Sequence, residues 1–162
     1  MKQMKYQQLT DFLLTKLPQS YQAHFSSWIA EGELLDEGRD ITENGIELFH
    51  LPYSAIFYFD ELPFREISAL ELMSWFNIWL KEHDCERDDL ALSDPKFEID
   101  MLDDNTAIII FKVDFYERIE AVKDSNGALS LDGENYRLDQ VEIVTATHIT
   151  EKVVTQFDHD YS

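Results

Sequence analysis

The sequence predicts an α+β fold: a mixed, mostly antiparallel sheet of four to five strands packed by helices. Three observations carry this. Helical periodicity is confined to the segments before residue 33 and to one segment near residue 75. The stretch KFEIDMLDDNTAIIIFKVDFYERIEA, residues 96–121, reads as strand, turn and long strand with no Pro or Gly inside it. Turn dipeptides, Asn44-Gly45, Asn126-Gly127 and Asp132-Gly133, punctuate the remainder. The chain is read as a single domain over residues 1–144 followed by a polar tail over residues 145–162.

In residues 5–17, Tyr6, Leu9, Leu13 and Leu17 recur at three or four residues and Pro18 follows, so an amphipathic helix is expected to stop there. A second short helix is expected next, with Tyr21, Phe25, Trp28 and Ile29 on one face and Gly32 as its C-terminal cap. Residues 33–45, ELLDEGRDITENG, read as a charged loop. Residues 45–62, GIELFHLPYSAIFYFDEL, are aromatic and β-branched, but Pro52 has no N–H to give a ladder. An edge strand, or two strands broken at the proline, is therefore expected.

Ser68 with Glu71 makes a capping box that starts a helix at about residue 69, running to about 83. Leu72, Met73, Trp75, Phe76, Trp79 and Leu80 fall on one broad face at 100° per residue, while Ile78 lies in the polar sector. HDCERDDLALSDP, residues 83–95, reads as an acidic connection. Phe97, Ile99 and Met101 then alternate with Glu98 and Asp100 as a half-buried strand does, and Asp103, Asp104 and Asn105 supply a turn. On the return strand, Ala107, Ile109, Phe111, Val113 and Phe115 share one face. The other face begins with Ile108 and Ile110 and changes to Lys112, Asp114, Tyr116, Arg118 and Glu120. From residue 106 to 123 nothing breaks the strand, which would reach about 60 Å at about 3.3 Å per residue. A bulge, bend or protrusion is expected, with Glu117 interrupting the apolar face as the place for it. Residues 128–131 and 136–144 are two further strand candidates.

At 162 residues and 44% hydrophobic the chain is long enough for one substantial core. No window reaches the roughly 20 apolar residues of a membrane span, and MKQMKYQQLT lacks the apolar core of a signal peptide, so a cytoplasmic protein without a membrane partner is expected. One cysteine, Cys85, forms no internal disulfide. Thirteen basic residues against 33 acidic ones give a net charge of -20, which repels free nucleic acid and anionic membrane. The surplus fits a solvated surface, a surface that DNA passes without adhering, or a surface that imitates DNA.

No chemistry-bearing motif is present. The five glycines are isolated, which excludes a dinucleotide fingerprint and a P-loop, and HExxH is absent. The histidines at 24, 50, 83, 148 and 159 lack ligand spacing. Asp103-Asp104 and Asp88-Asp89 lack the alternating oxygens of a calcium loop. No enzyme, cofactor or metal site is expected.

FHLPYSAIFYFDELP, the helix end WFNIWLKEHD, the run KFEIDMLDDNTAIIIFKVDFYERIEAVKDSNGALSL and the opening SSWIAEGEL together resemble the tail completion protein R family of temperate, contractile-tailed bacteriophages. The resemblance covers roughly residues 5–131. It implies a fold like that of phage tail terminator subunits and a structural role: completing the head-proximal end of a phage or prophage tail and preparing it for head joining. It further implies self-association in a ring, a hexamer by analogy, and tail tube, sheath and head-connector proteins as partners. The protein would assemble in the host cytoplasm and reside in the virion tail. A cyclic ring needs one patch to meet a different patch on its neighbour. Phe115, Tyr116, Arg118 and Glu120, at the far end of the long strand, and Ile78 are the expected contact residues, by strand pairing or side-chain packing. Two other classes stay open: an acidic DNA mimic that inhibits a DNA-binding enzyme, and an intracellular adaptor unrelated to phage.

Overall fold

A computed structural model describes residues 2–141. The expected tail at 145–162, the end of the strand expected over 136–144, His148 and His159 lie outside the described residues. The elements, in order, are β1 (Lys2–Gln3), α1 (Lys5–Lys16), β2 (Phe25–Gly32), β3 (Arg39–Asp40), β4 (Gly45–Leu62), α2 (Ala69–His83), β5 (Lys96–Met101), β6 (Ala107–Lys123), β7 (Leu129–Leu131), β8 (Glu134–Leu138) and β9 (Gln140–Val141). The fold is α+β. Strands β4 and β6 run antiparallel along almost their whole length, from Gly45 opposite Val122 to Leu62 opposite Ala107. Around this spine the order is β2-β4-β6-β8-β7, with β3 also on β4 and β5 also on β6, while β1 and β9 form a separate parallel pair.

Both helices pack on one face of the spine. Phe57 and Phe59 of β4 and Phe111 of β6 surround Phe76 of α2, whose ring stacks on Phe111 at 4.1 Å between centroids and meets Phe57 edge-on at 5.2 Å. Leu9 and Leu13 of α1 and Leu72, Trp79 and Leu80 of α2 complete this core, whereas Trp75 is only half-buried. The reverse face carries a smaller cluster of Ile56, Tyr58 and Ile108, flanked by Trp28 and Ile110. Helix α2 begins as its sequence predicts: the Ser68 hydroxyl accepts a hydrogen bond from the Glu71 N–H at 3.1 Å.

Four expectations need correction. The helix foreseen at 21–32 is a single 3-10 turn, Gln22–His24, followed by strand β2. Ser26 and Ser27 are weak helix formers, and pairing with β4 satisfies a backbone that would otherwise be a bare edge. The strand period puts Phe25 on the helix side and Trp28 on the reverse side, so the shared helical face dissolves. Gly32 caps no helix; it ends β2 where a Cβ would stand 2.9 Å from the Pro52 carbonyl and from Tyr53 Cβ.

Second, the loop foreseen at 33–45 carries β3 and a bridge between Leu35 and His50. Third, β4 is neither broken nor at an edge. Pro52 faces the side where β2 has run out; its carbonyl accepts from the Glu33 N–H at 3.0 Å, and its missing N–H costs no bond to β6. Fourth, no register shift falls at Glu117. The extra residues that bend the spine are in β4, between Glu47 and Phe49 and between Phe59 and Leu62.

Candidate assembly surface

Alternation along β6 divides the expected contact residues. Phe115 faces the helices, is 0% exposed, and packs 5.6 Å from Tyr53. Tyr116, Arg118 and Glu120 face the reverse side. There the Tyr116 hydroxyl lies 2.6 Å from His50 Nδ1, His50 Nε2 lies 2.8 Å from Glu47, and Arg39 Nε donates to Glu47 at 2.6 Å. Arg118 sits 5.5 Å over the Tyr116 ring and donates to Glu86, and Glu120 pairs with Lys2. Ile78 is 46% exposed on the outward side of α2. The structure thus brings Tyr116, Arg118 and Glu120 together, places Phe115 beneath them, and puts Ile78 on the opposite layer.

The carboxylates of this region are tuned by their surroundings. The Arg39 guanidinium, against the cost of burial and with help from His50, holds the Glu47 carboxyl below its ordinary range. Glu117 is the reverse case. Burial pushes its carboxyl up, although it accepts from the Lys5 N–H and the Tyr53 hydroxyl, both at 2.7 Å. Since Met4 offers no side-chain cap to α1, a β6 carboxylate caps that helix from outside it.

Between the positions taken by β5 and β8, the outer edge of β6 is closed by side chains and by one backbone contact. Arg87 donates to the Asp114 carbonyl at 2.6 Å, Lys5 Nζ to Tyr116 at 3.1 Å and Gln140 Nε2 to Arg118 at 3.0 Å, while the Asp139 N–H donates to Glu120 at 2.9 Å. A neighbour therefore finds no free carbonyl here to pair with, and the strand-pairing form of the expected contact does not fit. Lys5 is itself held by the buried Asp84 at 2.8 Å and by Glu86 at 3.2 Å.

A row of poorly covered apolar side chains lies elsewhere, on β5. Phe97, Ile99 and Met101 point to the helix side as the sequence predicts, yet they are 49%, 44% and 58% exposed. Helix α2 lies over β4 and β6 and does not reach β5. Between them runs a groove of about 390 Å³, walled by Met73, Phe76, Asn77 and Leu80 of α2, with Phe97 and Phe111 on its floor and Pro95 at its end. Leu70 of α2 and Leu102 are likewise exposed, at 73% and 46%. Period-2 alternation found these residues; what it lacked was any signal of which strand α2 would cover.

Among the described residues no group of three or more His, Cys, Asp or Glu is disposed to hold a metal ion, and no helix is long and apolar enough to cross a membrane. Cys85 is exposed and free. The Asp103 carboxylate accepts from the N–H groups of Asn105 and Thr106 and from the Thr106 hydroxyl, which makes it the organiser of the β5–β6 turn.

The model of the family described as P2 phage tail completion protein R (GpR) matches residues 3–140 of the chain. A protein of Haemophilus phage HP1 (strain HP1c1), described as an uncharacterized 19.2 kDa protein in the rep-hol intergenic region, is 49% identical over 160 residues, which is 99% of this chain and 95% of that protein. No solved structure matches.

Proposed function

From a chain that belongs to the P2 phage tail completion protein R family, and so is a phage protein with a role in tail completion, we infer a structural subunit that finishes the head-proximal end of the tail and readies it for head joining, working as a ring of identical copies. Family membership over residues 3–140 is the observation that carries this reading. The surface agrees with a scaffold: its prominent features are a salt-bridged face and a groove walled largely by apolar side chains, each suited to contact.

A ring that closes a tube matches the rotational symmetry of the tube, which favours a hexamer with heterologous contacts. Tail tube or sheath proteins lie on one side of it and head-connector proteins on the other. The net charge of -20 keeps the DNA that must pass from adhering to the wall. Tyr116, Arg118, Glu120 and Ile78 are assigned to side-chain contacts around the subunit boundary, with Phe115 supporting the first three from beneath. Assembly takes place in the host cytoplasm and the product stays in the virion tail. Neither catalysis nor a cofactor enters this role.

Electron micrographs of lysates from a phage with this gene disrupted test the reading. Tails unjoined to heads, with unfinished or overlong tubes, are the expected result, and supplying the gene from a plasmid restores complete particles. Complete, infectious particles in the absence of the gene would overturn it.

A further inference from the structure

We propose that copies of this chain join sheet edge to sheet edge, β2 of one molecule adding antiparallel to β5 of the next. The inference rests on the ring reading and names the surface that would build it.

Hydrogen bonding along the spine fixes which backbone groups point outward. On β6 the carbonyls of Asp114, Tyr116, Arg118 and Glu120 point away from β4, so the even-numbered residues Ile108, Ile110 and Lys112 bond to their partners on β5: Asp100, Glu98 and Lys96. Leu102, whose N–H donates to the Thr106 carbonyl, keeps the same phase. The N–H and C=O groups of Phe97, Ile99 and Met101 therefore face outward, and among the described residues nothing bonds to them there. On β4 the Pro52 carbonyl points toward β2, so Ser54, Ile56 and Tyr58 bond to β2 and its inward residues are Ser26 and Trp28. Ser27 and Ile29 are left outward on the far edge.

The two edges match in four respects. Strands β2, β4, β6 and β5 alternate in direction, so β2 and β5 are opposed, and a copy rotated about an axis along the strands presents its β2 antiparallel to β5. On both edges the outward residues have side chains on the helix face, as opposed residues of one antiparallel ladder must. The apolar surface of Phe97, Ile99 and Met101 would then be continued by that of the half-buried Ile29. Lastly, the charges permit the meeting. Residues 94–104 carry Asp94, Glu98, Asp100, Asp103 and Asp104 against Lys96, with Arg65 bonded to the Asp104 carbonyl beside them, and two β5 edges would have to bring this acidic surplus together. Residues 12–30, the longest acid-free stretch of the chain, hold Lys16 as their one charged residue and contain β2 up to its bulge. An uncharged edge strand is where strand addition by a partner is least opposed.

The test uses full-length protein carrying Cys85→Ser, with purified tail tubes present. Ser27→Cys and Ile99→Cys, made as separate variants and mixed, are expected to cross-link to dimers with a short bismaleimide, and the double variant to give a ladder ending at the mass of the closed ring. Either variant alone should give no cross-link. Ile99→Pro removes only an outward N–H, so it should melt within a few degrees of the parent while the concentration needed for association rises about tenfold or more. Ile99→Lys should do the same by charge. Cross-linking of one variant to itself, or rings that form unchanged with Ile99→Pro and no mixed cross-link, overturn the proposal and leave the ring standing. Protein that stays monomeric with tubes present overturns the ring as well.

Discussion

Glu117 and Glu47 show how far two carboxylates on neighbouring strands can be driven apart. The folded chain raises the Glu117 carboxyl above its ordinary value of 4.5 through burial. Its contribution to stability is thus full below about pH 4.5 and is lost as pH rises through the raised value. Thermal melts of the parent against Glu117→Gln should show the parent's relative advantage falling as pH rises above about 4.5; a constant difference would contradict the assignment. Glu117→Ala, which strands the Lys5 N–H and the Tyr53 hydroxyl, should cost about 1–3 kcal/mol in urea unfolding. For Glu47 the sign reverses. Its carboxyl is held down by Arg39, with burial opposing and His50 assisting. The stability that Arg39 confers should be present above about pH 4.5 and vanish as pH falls through the depressed value. An Arg39→Met variant whose lag behind the parent at pH 6 shrinks as pH falls below about 4.5 would bear this out; a lag that grows in acid would not. In sequence Glu117 registers only as an interruption of an apolar face. That it caps a helix 112 residues away is a long-range fact that no local pattern encodes.

At the scale of the element, legibility followed local chemistry. Helix α2 was readable because its start carries a cap, and its period is helical throughout. The β5–β6 hairpin was readable for its strict alternation and its Asp103 turn. Strand β2 was not, since Tyr21, Phe25, Trp28 and Ile29 also fit a helical face, and only the need of β4 for a partner decides between the two. Pro52 misled in the same way: a proline in a paired strand is tolerated when the neighbouring strand ends beside it, and strand ends depend on tertiary structure. If that account is right, Pro52→Val should change the unfolding free energy by no more than about 1 kcal/mol, and a loss of several would refute it. Phe76, held among Phe57, Phe59 and Phe111, is the opposite kind of position. Phe76→Ala should cost about 3–5 kcal/mol by the cavity it leaves, measured by chemical denaturation.

On the scale of the whole molecule, composition foretold an acidic protein with a sizeable core, and the pattern of elements foretold the α+β class and carried the family resemblance that residues 3–140 bear out. Strand order lay beyond reach, because pairing residues 25–32 with residues 53–59 and residues 45–62 with residues 107–122 is decided by contacts distant in sequence. So did the identity of the exposed surface. Alternation marked Phe97, Ile99 and Met101 as half-buried, whereas the sheet extends past its helices and leaves them open at an edge. Charge then governs what that edge can meet. Copies that each carry a net charge of -20 repel one another, so raising salt from about 50 to 500 mM should strengthen self-association by screening, as sedimentation can follow. Association that weakens over that range would point to a joint built on ion pairs in place of an apolar one.

The most direct measurement is the mass of the native full-length protein at micromolar concentration, alone and with purified tail tubes. A single closed multimer, formed in solution or on the tubes, is the result expected of a tail-completing ring. A monomer under both conditions would contradict it.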